Sequence, residues 1–220
     1  MKVLVFAPHP DDEIIGIGGT IAKKAAIGDD VYVCIVTSGQ PPIYSDEATL
    51  IVQDEARRAD NHLGVKETIF LNFPAVMLET VPRYKLNESI SKVIQMIAPD
   101  EVYIPHRGDM QIDHQIVVDA AMVALRPKYD HVIKRIYAYE TLSETGWNIP
   151  NTVNEFIPTV YEDITNTIKN KLGAMRIYTT QLAEFPAARS LEAIEALARF
   201  RGATVNVKAA EAFSLIREIK

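Results

Sequence analysis

The chain lacks paired cysteines and any long apolar run. Its 220 residues contain a single cysteine, Cys34, which excludes an internal disulfide. A lone cysteine inside an apolar stretch is typical of a protein from a reducing compartment. No apolar run approaches the roughly 20 residues of a membrane span, and the chain does not open with a signal-peptide pattern. We therefore expect a cytoplasmic protein without a membrane span.

Basic charge is also scarce. Lys and Arg number 23 against 29 Asp and Glu, so the formal net charge is −6. The basic residues are scattered, which argues against nucleic acid or an anionic membrane surface as the main partner. The length is that of one well-cored domain. We predict a single domain over residues 1–220, in which the part beyond about residue 160 is appended. Nothing in the sequence excludes a homo-oligomer.

Strands and helices are predicted to alternate along the first half of the chain. Apolar runs typical of strands begin at Lys2, Val31, Glu67 and Glu101, with a helical pattern after each of the first three. This rhythm indicates βαβ units, and thus an α/β fold with a Rossmann-like, mostly parallel sheet covered by helices on both faces. Ligands of such sheets bind beyond the carboxyl ends of the strands.

Later elements follow from the same patterns. We predict a helix over Asp46–Leu63, a strand over Glu155–Val160, a helix over Asp163–Tyr178 capped by Asp163, and a strand around Phe213–Ile216. On the first of these helices, Leu50 and Ile51 are expected on the inner side together with Ala56 and Ala59.

The first predicted strand ends in an unusual polar group. The apolar run Lys2–Ala7 is followed, after Pro8, by His9, Pro10, Asp11, Asp12 and Glu13. Adjacent carboxylates repel one another unless something positive lies between them. Capping of the next helix would explain one or two of the acids, but it does not explain His9. A bound cation does, and imidazole with carboxylate suits zinc, or another first-row divalent metal, better than magnesium or calcium.

A second polar group follows the fourth predicted strand. Asp113 and His114 stand at the start of the next helix, at the same end of the sheet as His9. His9, Asp12 and His114 therefore form a set of two histidines and one carboxylate, which leaves a position open for water. His106, directly after the strand, is the alternative ligand. We favour His114 because a helix start holds an imidazole more firmly than a glycine-containing loop.

Three glycines, Gly16, Gly18 and Gly19, lie near the start of the helix predicted over Ile14–Ile27. Glycine costs about 1 kcal/mol in a helix interior, so they indicate close approach of a ligand or a neighbouring strand. The G-x-G-x-x-G spacing is absent, and the preceding carboxylates would repel a pyrophosphate. A nucleotide cofactor is therefore not expected here.

Together these residues resemble the motifs of a known family. Ala7–Glu13, the glycines and Asp113-His114 are similar to the zinc-dependent N-acetylglucosaminyl deacetylases, also called PIG-L or LmbE-like proteins, and weaker likenesses occur at Glu55–Gly64, Arg201-Gly202 and Glu211–Phe213. The resemblance implies a hydrolase that removes the N-acetyl group from a small-molecule amino sugar or its conjugate, such as a glycoconjugate or a nucleotide-linked sugar. It also implies one zinc ion per chain.

The resemblance further implies a role for each matching residue. His9, Asp12 and His114 would bind zinc, and Asp11 would be the general base, a choice between two aspartates that spacing leaves open. Asp113 would orient its neighbours. Many members have His-x-Asp-His in the second motif, but Gln111 stands at the first of these positions. Gln111 can donate a hydrogen bond to an oxyanion but cannot supply a proton.

A second departure concerns substrate binding. Many relatives carry an arginine about one turn before Glu55, and Leu50–Asp54 contains none. We expect Arg107, or another arginine, to make that contact. Two other functions are considered: hydrolysis of a non-sugar N-acyl substrate, and metal or sugar binding without catalysis. Asp11 argues against the latter, because a structural zinc site needs no free base.

Overall fold

The computed structural model describes residues 1–128 and 131–220. Within these residues, strands and helices alternate as far as the fifth strand, and two strands and two helices of the C-terminal part complete the order. The elements are β1 (Lys2–Ala7), α1 (Asp12–Ala26), β2 (Asp30–Ser38), α2 (Asp46–Leu63), β3 (Glu67–Pro74), a 3₁₀ turn (Leu78–Thr80), α3 (Arg83–Ile97), β4 (Glu101–Pro105), α4 (Ile112–Ala124), β5 (Arg135–Tyr139), β6 (Val160–Asp163), α5 (Ile168–Ile177), α6 (Leu191–Thr204) and β7 (Ala210–Glu218).

The strands form one sheet of seven in the order β3-β2-β1-β4-β5-β7-β6. The first five are mutually parallel, and β7 runs antiparallel to both β5 and β6. Alternate residues of β1 belong to two separate apolar clusters, Val3 and Val5 to one and Leu4 and Phe6 to the other. Successive side chains of a strand point to opposite faces, so the sheet is covered on both sides. The predicted mostly parallel α/β architecture is confirmed.

Two predicted elements in the C-terminal part were misplaced. The short strand expected at Glu155–Val160 lies later in the chain, as β6 (Val160–Asp163). Its residues pair with the beginning of β7. Asp163 is the last residue of that strand and does not cap α5. Its Oδ1 atom accepts a hydrogen bond from the Thr165 amide at 2.9 Å, which closes a turn before the helix. The helix α5 therefore begins only at Ile168.

The inner side of α2 was also predicted incorrectly in its first turns. Ala56 and Ala59 are fully buried as expected, but Leu50 is 66% and Ile51 47% exposed. The buried face of the helix begins at Glu55. The first turns of α2 do not pack on the sheet, and Ile51 lines a cleft at the carboxyl end of the sheet.

The glycines of α1 lie where other elements approach its backbone. A Cβ atom on Gly16 would be 2.3 Å from Cδ2 of Tyr139 on β5, and one on Gly19 would be 2.7 Å from Cδ1 of Ile164. Both distances are shorter than van der Waals contact. The predicted close approach is therefore to side chains of the C-terminal half.

A buried ion pair ties the middle of α1 to α5 and β7. The Lys171 ammonium donates to the Ile15 carbonyl at 2.8 Å and lies 2.5 Å from Oε1 of Glu211. The Glu211 carboxylate in turn accepts hydrogen bonds from the amides of Gly19, at 2.9 Å, and Thr20, at 2.7 Å. The Ile15 carbonyl and the Gly19 amide stand at the i and i+4 positions of a helix ladder. Two distant side chains thus satisfy polar groups in the interior of a helix.

In the part of the chain that the structure describes, no helix is both long and apolar enough to cross a membrane.

Candidate active site

The carboxyl ends of β1 and β4 bring the two polar groups together. These strands are neighbours in the sheet. His9, Asp12 and His114 each offer a ligand atom, and the three atoms lie within 4.8 Å of one another. Oδ2 of Asp12 is 3.3 Å from Nδ1 of His9 and 3.2 Å from Nε2 of His114. The three residues selected from the sequence therefore share one site.

His106, the alternative ligand, lies elsewhere. Its Nε2 atom is 3.0 Å from the Asn154 carbonyl oxygen, and its ring packs edge-on against Phe156. A Cβ on Gly108 would meet both Nε2 of His106 and the backbone of Asn154. The loop after β4 thus holds His106 against the segment that follows β5, and the preference for His114 agrees with this placement.

The second nitrogen of each histidine in the group faces a further carboxylate. Nε2 of His9 is 3.0 Å from Oδ2 of Asp113, and Nδ1 of His114 is 2.9 Å from Oδ2 of Asp109. Thr145 donates to the other oxygen of Asp109 at 2.6 Å. Carboxylates in this position fix the tautomer and orientation of metal-binding histidines. Asp113 lies where its predicted orienting role requires, whereas Asp109 was not identified from the sequence.

The group has the properties of a cation site. Oδ1 of Asp12 is buried without a hydrogen-bond partner among the described residues. An unsatisfied buried carboxylate oxygen is costly unless a cation compensates it. Burial opposes ionisation of Asp12, yet the adjacent His114 and His9 hold its pKa well below the ordinary range. Two imidazole nitrogens and a charged carboxylate form a donor set suited to zinc or another first-row divalent metal.

Asp11 lies beside this group in a strained conformation. It is the N-cap of α1, with φ at 99°. Its amide donates to Oε2 of Glu13 at 3.1 Å, and Glu13 accepts a second hydrogen bond from the Tyr178 hydroxyl at 2.6 Å. Burial, reinforced by Asp12, raises the pKa of Asp11 to about 7, although Arg189 opposes the rise. A carboxyl group that titrates near neutrality has the basicity required of a general base.

Gln111 caps α4 and presents its amide nitrogen to the site. Its Oε1 atom accepts from the Asp113 amide at 2.5 Å, so the oxygen is already engaged. Its Nε2 atom is 3.4 Å from Nε2 of His9, and the side chain lines the cleft above the group. Gln111 therefore meets a ligand in the cleft with its amide N–H groups rather than with its oxygen.

The structure places Arg107 outside the cleft and Arg189 within it. Arg107 lies 2.8 Å from Oδ1 of Asp119 and donates to Gln115, and it is not among the residues that line the cleft. Arg189, between α5 and α6, does line the cleft, with its Nε atom 2.8 Å from Oδ2 of Asp11. The expectation for Arg107 gains no support from this placement. No local motif marks Arg189, because only tertiary packing brings the α5–α6 connection to the end of β1.

A cleft of about 490 Å³ opens over these residues. This volume is within the range of small-molecule sites. The cleft is lined by His9, Pro10, Asp11, Ser38, Gly39, Tyr44, Ala48, Thr49, Ile51, Val52, Gln53, Ala75, Val76, Gln111, Glu144, Thr180, Gln181 and Arg189.

Comparison with known proteins agrees with this site. The PIG-L family, described as GlcNAc-PI de-N-acetylase, matches residues 4–125, from β1 to the end of α4. The chain belongs to the PIG-L family. The matched region contains both polar groups but not Arg189, Tyr178 or β7, which come from the remaining part of the chain.

Individual relatives of this PIG-L protein cover most of its length. It is 31% identical to a protein of Escherichia coli strain K12 named uncharacterized deacetylase YaiS, over 74% of this chain and 81% of that protein. It is 27% identical to diacetylchitobiose deacetylase of Thermococcus kodakarensis, over 83% of this chain and 71% of the relative. The fold matches the crystal structure of N,N'-diacetylchitobiose deacetylase from Pyrococcus horikoshii with a TM-score of 0.79 at 24% identity, covering 98% of this chain and 83% of that one.

Proposed function

We propose that this chain is a zinc-dependent N-deacetylase that removes the acetyl group from an N-acetylated amino sugar or its conjugate. The observation that carries the proposal is the placement of Asp11, a buried carboxyl whose Oδ2 atom faces the Arg189 guanidinium, directly beside the His9, Asp12 and His114 group. Family membership supports the reaction class, and relatives named as sugar deacetylases support the substrate class. The single cysteine supports a cytoplasmic location.

The proposed mechanism assigns the metal to His9, Asp12 and His114. A divalent ion held there would supply Lewis acidity toward a water molecule and an amide carbonyl. Asp11 accepts the proton of the attacking water and returns it to the leaving amine. Asp11 is buried beside the metal-binding residues, where its carboxylate can take up the proton in the first step and hold it for the second.

Gln111 takes the place of the acidic histidine found in many relatives. Its Nε2–H group is proposed to donate to the oxyanion of the tetrahedral intermediate, a contribution of about 3–4 kcal/mol for one good donor. Because Gln111 has no proton to give, Asp11 serves as both base and acid. Asp113 and Asp109 hold the two histidines in orientation, and Arg189 holds the carboxylate of Asp11 at the floor of the cleft.

An acetate-release assay on N-acetylglucosamine conjugates tests the proposal, combined with elemental analysis of the purified protein. We expect one zinc per chain and release of acetate. Asp11→Asn should keep the metal and lose activity by about 10²–10⁴-fold, the usual contribution of general-base catalysis.

Matched variants separate the ligands from their neighbours. His114→Ala should lose the metal, while His106→Ala should retain it. Metal loss in Asp11→Asn, or retention in His114→Ala, would contradict the assignment. Acetate release from simple N-acyl amines but from no sugar would instead establish the non-sugar amidase. A metal-loaded protein that releases no acetate from any substrate would support binding without catalysis.

A further inference from the structure

One wall of the cleft is built from exposed apolar side chains. Tyr44, Ala48, Ile51 and Val52 come from the loop after β2 and the first turns of α2, and Val76 faces them from the loop after β3. Tyr44, Ile51 and Val76 are all exposed to solvent. Single exposed apolar residues are ordinary, but a contiguous group along a cleft indicates a surface that a ligand covers. The sequence pattern that had suggested core packing for Ile51 thus has another explanation.

Val76 is held in this wall at an energetic cost. Its φ of 56° lies in the left-handed region, which is a genuine outlier for a β-branched residue. Its amide donates to Oδ2 of Asp113 at 2.6 Å, the same oxygen that faces His9. Backbone strain of this kind persists where the surrounding structure imposes it, commonly at functional sites. The apolar wall is therefore fixed to the metal-binding group through one carboxylate.

The charges of the cleft disfavour an anionic ligand next to this wall. Among the described residues lining the cleft, Arg189 supplies the cationic side chain, while Asp11 and Glu144 supply two carboxyl groups. The guanidinium of Arg189 is already paired with Asp11 at 2.8 Å. The wall residues are uncharged, so a phosphate or carboxylate packed against the wall, away from the metal-binding residues, would lose hydration without gaining a cationic partner.

We propose that this wall is the subsite for an uncharged, apolar aglycone, an aryl or alkyl group linked to the amino sugar. The inference rests on the proposed deacetylase function, which places the acetamido group at the metal site. The rest of the substrate then extends along the cleft, and Tyr44, Ile51 and Val76 cover its apolar part. Specificity for the aglycone comes from burial of apolar surface and from the lack of a cationic partner for negative charge in the wall.

Three β-glycosides of N-acetylglucosamine test the subsite, with methyl, phenyl and 4-carboxyphenyl aglycones. We expect kcat/KM for acetate release to be at least about tenfold higher for the phenyl than for the methyl glycoside, because burying a ring removes much apolar surface from water. The 4-carboxyphenyl glycoside has the same ring with a negative charge, and it should lose that advantage. Equal values for phenyl and methyl, or a preference for 4-carboxyphenyl, would overturn the proposal.

Neighbouring residues of α2 provide a matched pair of variants. Ile51→Ser should reduce the ratio of phenyl to methyl kcat/KM toward one. Leu50→Ser changes a more exposed side chain that does not line the cleft, so it should keep the parent ratio. Equal ratios in the two variants would place the selectivity elsewhere and refute the assignment of the wall.

The outcome can be separated from failure of the deacetylase proposal. Acetate release from the methyl glycoside reports the reaction alone. If no glycoside is hydrolysed, the deacetylase assignment fails, and calorimetric binding of the phenyl and methyl glycosides to the metal-loaded protein decides the subsite. Tighter binding of the phenyl glycoside supports the apolar subsite, and equal affinities overturn it.

Discussion

Asp60 is buried beneath the active site in a way that predicts a pH-dependent stability. It lies on α2, fully buried, and Oδ2 accepts a hydrogen bond from the Thr68 hydroxyl at 2.7 Å. Its other oxygen, Oδ1, is buried without a partner among the described residues. Burial raises its pKa from 3.8 to about 7, although the bond from Thr68 works in the opposite direction. Burial, and next Asp60 itself, also raise the pKa of Glu13.

The magnitude follows from the two pKa values of Asp60. Between about pH 4 and pH 7 the folded state keeps a proton that the unfolded state has released, so the free energy of unfolding falls as the pH rises through this window. The difference between 3.8 and about 7 corresponds to about 4 kcal/mol once the pH exceeds both values. Asp60→Asn removes the ionisation and preserves the shape. We expect the free energy of unfolding of this variant to exceed that of the parent by about 2–4 kcal/mol at pH 8, and by far less at pH 4.

Urea unfolding of the metal-loaded parent and variant at pH 4.5, 6 and 8 measures this difference. Asp54→Asn on the same helix is the control, because the Asp54 side chain is 66% exposed. Its stability relative to the parent should not change across the pH range. A difference between Asp60→Asn and the parent that stays constant from pH 4.5 to 8 would refute the reasoning, since Asp60 would then be ionised in the folded state throughout.

Three further predictions concern contacts described above. Asp109→Asn should weaken metal affinity by about 10–100-fold in a chelator competition, as expected when the carboxylate behind a ligand is lost. Asp119→Asn, which changes a partly exposed carboxylate paired with Arg83 and Arg107, should not; equal affinities of the two variants would show that Asp109 does not orient its histidine. Gly16→Ala should lower the free energy of unfolding measured in urea by about 1–3 kcal/mol, because the new methyl group meets the ring of Tyr139 on β5. An unchanged midpoint of urea unfolding would mean that this ring moves freely. Lys171→Met should lower the free energy of unfolding by about 3–5 kcal/mol, because it leaves Glu211 buried without its cation. The double variant with Glu211→Gln should recover part of this loss in the same assay; a double variant as unstable as the single one would contradict a charge-based cause.

Sequence periodicity was sufficient for the parallel part of the sheet. Each of the first four strands carries its own apolar pattern, and a βα repeat constrains where the next strand lies. The pattern could not distinguish a helix turn that faces a sheet from one that faces a cleft. Leu50 and Ile51 have the spacing of core residues, yet both are exposed. A second ambiguity made the predicted bounds of β6 and α5 wrong. Asp163 can end a strand or cap a helix with the same side chain.

Within the candidate site, the residues that could be selected from the sequence lie in compact motifs. His9, Asp12 and His114 each follow a strand or begin a helix, and their chemistry is unusual there. Asp109 and Arg189 have no such local signal. Asp109 is recognisable only once His114 is seen to face it, and Arg189 only once the α5–α6 connection is seen to reach Asp11. Contacts of this kind depend on tertiary packing, for which the local sequence carries no signal.

The buried pair of Lys171 and Glu211 has a consequence for synthesis on the ribosome. The amide of Gly19 and the carboxylate that accepts its hydrogen bond are 192 residues apart. At about 5–20 residues per second, translation separates them by about 10–40 s. The nascent α1 emerges early in that interval, but Lys171 is translated only 40 residues before Glu211. For most of the interval the interior polar groups of α1 therefore have neither the ammonium nor the carboxylate to bond. Because α1 begins with Asp12, we expect the metal-binding group to reach its final geometry only after β7 has been translated and has docked.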